Sequence, residues 1–169
     1  MDYRDRSSAV LWGDGTSAAV VSRTEPAPLR LVRASFGSRP SGADAVTIPR
    51  FGHFRQDGPG VQRFAIKTTL SSLEEMLPAA RARARETGGR VRFIGHQANG
   101  LMLQGVAERA RLDPSEHWHH VEDFGNTGAA GAPSVLSERW AELAPGDAIS
   151  MVVVGYGLAW SSLALEVRA

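Results

Sequence analysis

The chain has 169 residues, 43% of them hydrophobic, which is enough apolar material for one core of ordinary size and points to a single domain over 1–169. Its formal charge is +1, with basic and acidic residues interspersed and Lys67 the only lysine, which argues against a dedicated nucleic-acid or membrane-surface protein. There is no cysteine, hence no disulfide and no thiolate metal site; no apolar run is long enough for a membrane span, and Met1–Arg6 lacks the apolar segment of a signal peptide, so a cytoplasmic location is expected.

Ala9–Trp12 is a short apolar run that stops at the turn signal Gly13-Asp14-Gly15, and Ala18–Ser22 resumes it, so the pattern predicts two strands about a turn. Leu29–Phe36 alternates apolar and polar residues as a third strand, set apart by Pro26 and Pro28. The stretch 37–60 is rich in Gly, Pro, Ser and Asp and is expected to be a long loop covering a site. Val61, Phe64, Ala65, Leu70, Leu73, Met76 and Leu77 recur at helical spacing. Ser71 and Ser72 ahead of Glu74 and Glu75 suggest a capped restart, hence two helical pieces, with Pro78 bending the second and Gly88-Gly89 stopping it. Strand and helix signals then alternate: a strand at Val91–Gly95, a helix at Asn99–Arg111, a short strand at His119–Glu122 and a helix at Thr127–Leu143. Strands at Ala148–Val154 and Ser161–Val167 close the chain, the last two able to pair antiparallel. Such alternation predicts an α/β layered domain.

His96 directly follows the apolar strand Val91–Gly95 and precedes a helix, the place where open α/β sheets put their ligand sites. A helix N-terminus nearby disfavours an imidazolium, so a neutral ring able to donate one hydrogen bond is expected; a structural histidine is the alternative. Asn126, in Phe124-Gly125-Asn126-Thr127-Gly128, offers two N–H donors that never ionise, although a lone Asn at such a place can simply cap a helix. The following Gly128–Ala132 are all small and imply close backbone approach. Gly155-Tyr156-Gly157 ends the most apolar strand and could present backbone N–H groups as an oxyanion hole, or simply turn a hairpin. His117, His119 and His120 raise a metal hypothesis, but no cysteine and no carboxylate at helical spacing completes a ligand set, and a half-exposed strand explains them better.

Gly95-His96-Gln97-Ala98-Asn99, then Gly125-Asn126-Thr127, then the Gly155–Trp160 turn resemble, in that order, the second half of the ketoacyl-ACP synthase III family of the thiolase superfamily. Gly13–Ala18 is similar to the segment that opens that half. The resemblance implies a thiolase-like half-domain with a mixed five-stranded sheet and helices on both faces. It also implies an acyltransferase activity: decarboxylative Claisen condensation of acyl thioesters carried on coenzyme A or on the phosphopantetheine of an acyl carrier protein, without another cofactor. His96 and Asn126 would hold the thioester oxygen of the extender as an enolate forms, each donor worth on the order of 3 kcal/mol. The oxyanion hole would involve Gly155, Tyr156 and Gly157. Ala98 and Asn99 would lie along the pantetheine arm, and the 37–60 loop with Phe51 would line the entrance.

Three departures bear on this reading. The nucleophilic cysteine and the half-domain that carries it are missing, Gly100-Leu101-Met102 stands where a carrier-docking basic residue is common, and Tyr156 is bulky where a small residue is usual. The leading expectation is one subunit of a split enzyme in a hetero-oligomer, with a companion chain supplying the cysteine. The alternatives are a non-catalytic scaffold partner, an acyltransferase without decarboxylation, and a fragment of a longer enzyme. The small residues after Asn126 are expected to be exposed unless a partner covers them.

Overall fold

Val91–Gly95 is buried at every position and forms β4, the strand about which the rest of the fold is laid out. The computed structural model describes residues 2–6 and 8–168. In it β4 pairs in parallel with β5 (His117–Trp118) on one side and β6 (Ala148–Gly155) on the other. β7 (Ala159–Val167) returns antiparallel to β6 and carries β1 (Leu29–Ser38) antiparallel on its far side, so the mixed sheet runs β1-β7-β6-β4-β5. A two-residue pairing of β2 (Val46–Thr47) with β3 (Arg55–Gln56) organises part of the expected 37–60 loop.

Helices cover both faces. On one face α1 (Gly58–Thr87) lays Leu73, Met76 and Leu77 against Val91, Phe93 and Val152, with Val106 and Ala107 of α2 (Gly100–Arg109) completing the cluster. On the other, Ala132 and Val135 of α4 (Gly131–Glu138) meet Ile94, Ile149 and Met151. Phe93 and Ile94 are both fully buried, on opposite faces of one strand, and each contributes about 1.5–3 kcal/mol by burial.

Several sequence expectations are corrected. The two helical pieces are one helix: Pro78 and Glu74, whose carbonyl loses its partner to the proline ring, both lie on the exposed side, away from the continuous buried face of Leu73, Met76 and Leu77. Ala9–Trp12 is a short 3-10 turn followed by one isolated parallel bridge from Trp12 to Asn126, and Ala18–Ser22 pairs with no described strand. The strand expected at His119–Glu122 ends earlier, at Trp118. The His120 N–H turns away to donate to Gln97 Oε1, and α3 (Val121–Phe124) follows. The helix expected over Thr127–Leu143 is regular only in α4 and is flanked by 3-10 turns at Gly128–Ala130 and Trp140–Glu142. Ala130, Gly131 and Ala132, expected to be exposed, are buried by the chain itself: a Cβ on Gly131 would stand 2.9 Å from the Cβ of Gln97.

Candidate active site

Because β4, β5 and β6 are mutually parallel, their carboxyl ends share one edge of the sheet; the segments of His96 and of Gly155-Tyr156-Gly157 leave directly from that edge, whereas Asn126, expected at a strand end, follows α3 instead of β5. His96 follows β4 directly. Its ring is largely buried, and burial pushes its pKa from 6.5 to about 4, so it is neutral near pH 7. The cause is desolvation rather than the helix terminus expected from the sequence. The ring makes no hydrogen bond to another described residue, which leaves both nitrogens available.

Asn126 is held by its own backbone and by one side-chain bond. Its N–H donates to Leu11 O at 2.8 Å, its carbonyl accepts from Gly13 N–H at 3.2 Å, and its Oδ1 accepts from Gly128 N–H at 3.0 Å. The carboxamide orientation is thereby set, with the two Nδ2–H donors free of described partners. Gly13 permits this arrangement, since a Cβ there would fall 1.9 Å from Phe124 O.

Gln97 joins the two turns. It is fully buried, its Nε2 donates to Gly95 O at 2.8 Å, and its Oε1 accepts the His120 N–H at 3.0 Å. Gln97 Cβ and Thr127 Oγ1 approach the same point on Gly131, at 2.9 and 3.3 Å from where its Cβ would be. The immediate neighbours of His96 and Asn126 thus pack around one glycine. Nothing in the residue pattern marked Gln97 as this link, because a buried amide spanning two turns has no local signature.

Beside these turns lies an open cleft of about 420 Å³, lined by Val10, Leu11, Trp12, Ala98, Asn99, Gly100 and Val121–Gly125. Its walls are the residues just after His96 and just before Asn126; the two side chains themselves are not part of the lining. Ala98 and Asn99 stand where a ligand arm could pass, although Asn99 Oδ1 also caps α2 by accepting from Met102 N–H at 2.9 Å. The lining contains Glu122 and Asp123 and no Arg or Lys. Phe51 does not reach the cleft; it is 94% exposed, beneath the Arg50 guanidinium. Phe54 instead meets Trp12 edge-on, with ring centroids 4.8 Å apart. The Gly155-Tyr156-Gly157 turn leaves β6 from the same sheet edge as His96, with Gly157 at φ 109° and the Tyr156 side chain exposed, outside the cleft lining.

The clustered histidines His117, His119 and His120 have other surroundings. His117 stacks on Phe93 and lies 4.5 Å, centroid to centroid, from His119, and burial first, then His119, pushes its pKa to about 4. His119 Nδ1 meets Glu122, while His120 Nδ1 meets Glu138 at 2.7 Å and its Nε2 meets Ser134 at 3.2 Å. No group of three or more His, Asp or Glu arranged for a metal ion occurs among the described residues.

Residues 90–167 match the family model described as the C terminal of 3-oxoacyl-[acyl-carrier-protein] synthase III. In sequence and fold, the chain resembles the C-terminal half of a ketoacyl-ACP synthase III condensing enzyme. Beta-ketoacyl-[acyl-carrier-protein] synthase III 2 of Streptomyces coelicolor is 32% identical over 98% of this chain and 50% of its own length. The synthase III of Syntrophomonas wolfei is 33% identical over 98% of this chain and 54% of its own. The crystal structure of the Aquifex aeolicus synthase III superposes with a TM-score of 0.81 at 28% identity, covering 96% of this chain and 52% of that one. The chain therefore spans about half the length of the curated relatives it matches. No helix among the described residues is long and apolar enough to cross a membrane.

Proposed function

We propose that the chain is the His–Asn half of a synthase III-like condensing enzyme, working with a companion polypeptide that supplies the nucleophilic cysteine. The observation that carries this reading is a pair of neutral donors with nothing else to bond. The His96 ring is kept uncharged by burial, and the Asn126 Nδ2–H groups are left free by a carboxamide anchored through its oxygen. An uncharged donor pair stabilises a negative oxygen as it develops and does not trap the carboxylate of the substrate beforehand.

In the proposed reaction an acyl group sits as a thioester on the companion's cysteine. The carboxylate of a malonyl-type thioester leaves as carbon dioxide, and its bonding electrons become an enolate whose oxygen is held by His96 and Asn126. The enolate carbon attacks the acyl carbonyl, the new carbon–carbon bond forms, and the cysteine sulfur departs as thiolate. The absence of cysteine from the 169 residues requires that sulfur to come from elsewhere. The thioester arm, on coenzyme A or an acyl carrier protein, would pass Ala98 and Asn99. With two carboxylates and no basic residue in that cleft, the phosphates or acidic surface of the carrier would be met by residues outside it.

The test is condensation by the chain combined with its cysteine-bearing companion, following release of labelled carbon dioxide and formation of the ketoacyl product. His96→Ala and Asn126→Ala should each lower turnover ~100-fold or more while the complex still assembles. Unchanged turnover in both variants would leave the chain a scaffold and remove the catalytic reading.

A further inference from the structure

Where β4 ends at Gly95, Ala98 N–H donates to His96 O at 2.8 Å and closes a tight turn with Gln97 at its middle. Gln97 is fully buried and both ends of its carboxamide are used, Nε2 donating to Gly95 O and Oε1 accepting the His120 N–H. His120 is fixed in its turn. Its ring is buried, with Nδ1 2.7 Å from Glu138 Oε2 and Nε2 3.2 Å from Ser134 Oγ, both residues of α4, and Ser134 Oγ–H donates to Gly131 O at 2.8 Å. The His120 carbonyl accepts from Asp123 and Phe124 N–H at 3.0 and 3.2 Å and so starts α3, which gives way at Gly125 to Asn126. Gly131 closes the circuit, because it lies against Gln97 Cβ and Cγ. Contacts thus run from the His96 turn through Gln97 and His120 to α3 and Asn126, and back through α4.

We infer that Gln97 is a positioning residue for the donor pair: its carboxamide, clamped between the end of β4 and His120, sets where the His96 turn stands relative to the segment that carries Asn126. This rests on the condensing reading above. No hydrogen bond to a described residue holds the His96 ring, so the turn that carries it and the packing around it decide its place. The link asks for an amide, which is neutral and donates and accepts at once. A carboxylate accepts from His120 N–H but has no proton for Gly95 O. A Met of similar length fills the space and leaves two buried backbone groups unpaired. Misplacing a reacting group by ~1 Å costs ~100-fold in rate, so a drift too small to unfold the chain is enough to slow the reaction.

The test follows condensation of acetyl-coenzyme A with a malonyl thioester by the chain and its cysteine-bearing companion, for the parent, Gln97→Met and Gln97→Glu. Gln97→Met should lower kcat at least ~10-fold and change KM for the malonyl thioester less than ~3-fold. KM is spared because Asn99, on the cleft wall, is fixed separately by its own bond to Met102 N–H. Gln97→Glu adds a signature that lost stability does not produce. Its protonated carboxyl copies the amide, with O–H donating to Gly95 O and the carbonyl accepting from His120 N–H, whereas its carboxylate faces the Gly95 carbonyl without a proton. Burial and that carbonyl raise the carboxyl pKa above its ordinary value, so the variant should stay within ~3-fold of the parent in acid and lose kcat as pH rises through the raised pKa. Asp147→Ala, which weakens the opposite end of the sheet, should leave kcat unchanged below its melting temperature. Gln97→Met with the parent's kcat, or a Gln97→Glu pH profile parallel to the parent's, overturns the positioning role and leaves the condensing reading standing. A parent complex that assembles and does not condense removes that reading, and the role with it.

Discussion

Acidification from pH 7 to pH 5 should lower the stability of this chain, and His96 should account for a defined share of the loss. In the folded chain its pKa lies at about 4, against 6.5 when exposed. Below 6.5 the unfolded state therefore takes up a proton that the folded state refuses until about pH 4, and the stability conferred by a neutral His96 is lost as pH falls through that window. Integrating between pH 7 and pH 5 gives about 1.8 kcal/mol from this one ring. The lowered carboxyl groups, Asp147, Glu122, Asp2 and Asp113, lose their contributions only at lower pH, while His117, also held at about 4, acts in the same interval but is common to parent and variant and cancels in their difference. Urea unfolding of the parent and of His96→Gln at both pH values isolates the effect: the variant should lose about 1.8 kcal/mol less than the parent over the interval. Equal losses in the two proteins, or an imidazole resonance titrating near 6.5, would refute the claim that burial holds His96 neutral, and with it the donor role proposed above.

Asp147 is fully buried and accepts from Arg90 N–H at 2.8 Å and Ala144 N–H at 3.2 Å as well as from the half-exposed Arg90 guanidinium. Burial alone would raise its pKa, but these bonds together hold it low. Asp147→Ala should cost about 3 kcal/mol by chemical denaturation, nearly constant above pH 5 and shrinking as the parent carboxylate is protonated in acid. Two glycines should respond with opposite signs: Gly89→Ala places a Cβ 2.1 Å from Gly146 O and should destabilise by more than about 2 kcal/mol, whereas Gly105→Ala, in α2 with nothing within 4 Å, should stabilise by about 0.5–1 kcal/mol in the same assay. Asn99→Ala removes the α2 cap and should cost about 1 kcal/mol, read from the melting temperature.

Local patterns carried much of the architecture. β4 and β6 were legible because each is a short apolar run bounded by polar or turn residues, and Asn99 and Gly88 delimit their helices through interactions within a few residues. His96 and Asn126 are proposed as donors from residue type and position, and the structure adds to that proposal the burial of the ring and the Gly128 N–H bond that anchors the carboxamide. Where these local rules failed, long-range packing had overruled them. Ser71, Ser72 and Pro78 signal a break that the continuous buried face of α1 overrides, and the His119–Glu122 strand gives way to the bond that His120 makes with Gln97, distant in sequence.

The sequence by itself determined the strand–helix alternation, the residue chemistry at the edge of the parallel strands and, by the absence of cysteine, that any thiolate must be supplied from outside these 169 residues. Only the tertiary structure decided that the small residues after Asn126 bury themselves against Gln97, that Phe54 and not Phe51 reaches Trp12, and that residues 16–22 have no sheet of their own. Composition and periodicity report which faces of an element are apolar. They do not say which other surface will cover them, because that depends on contacts between residues far apart in the chain.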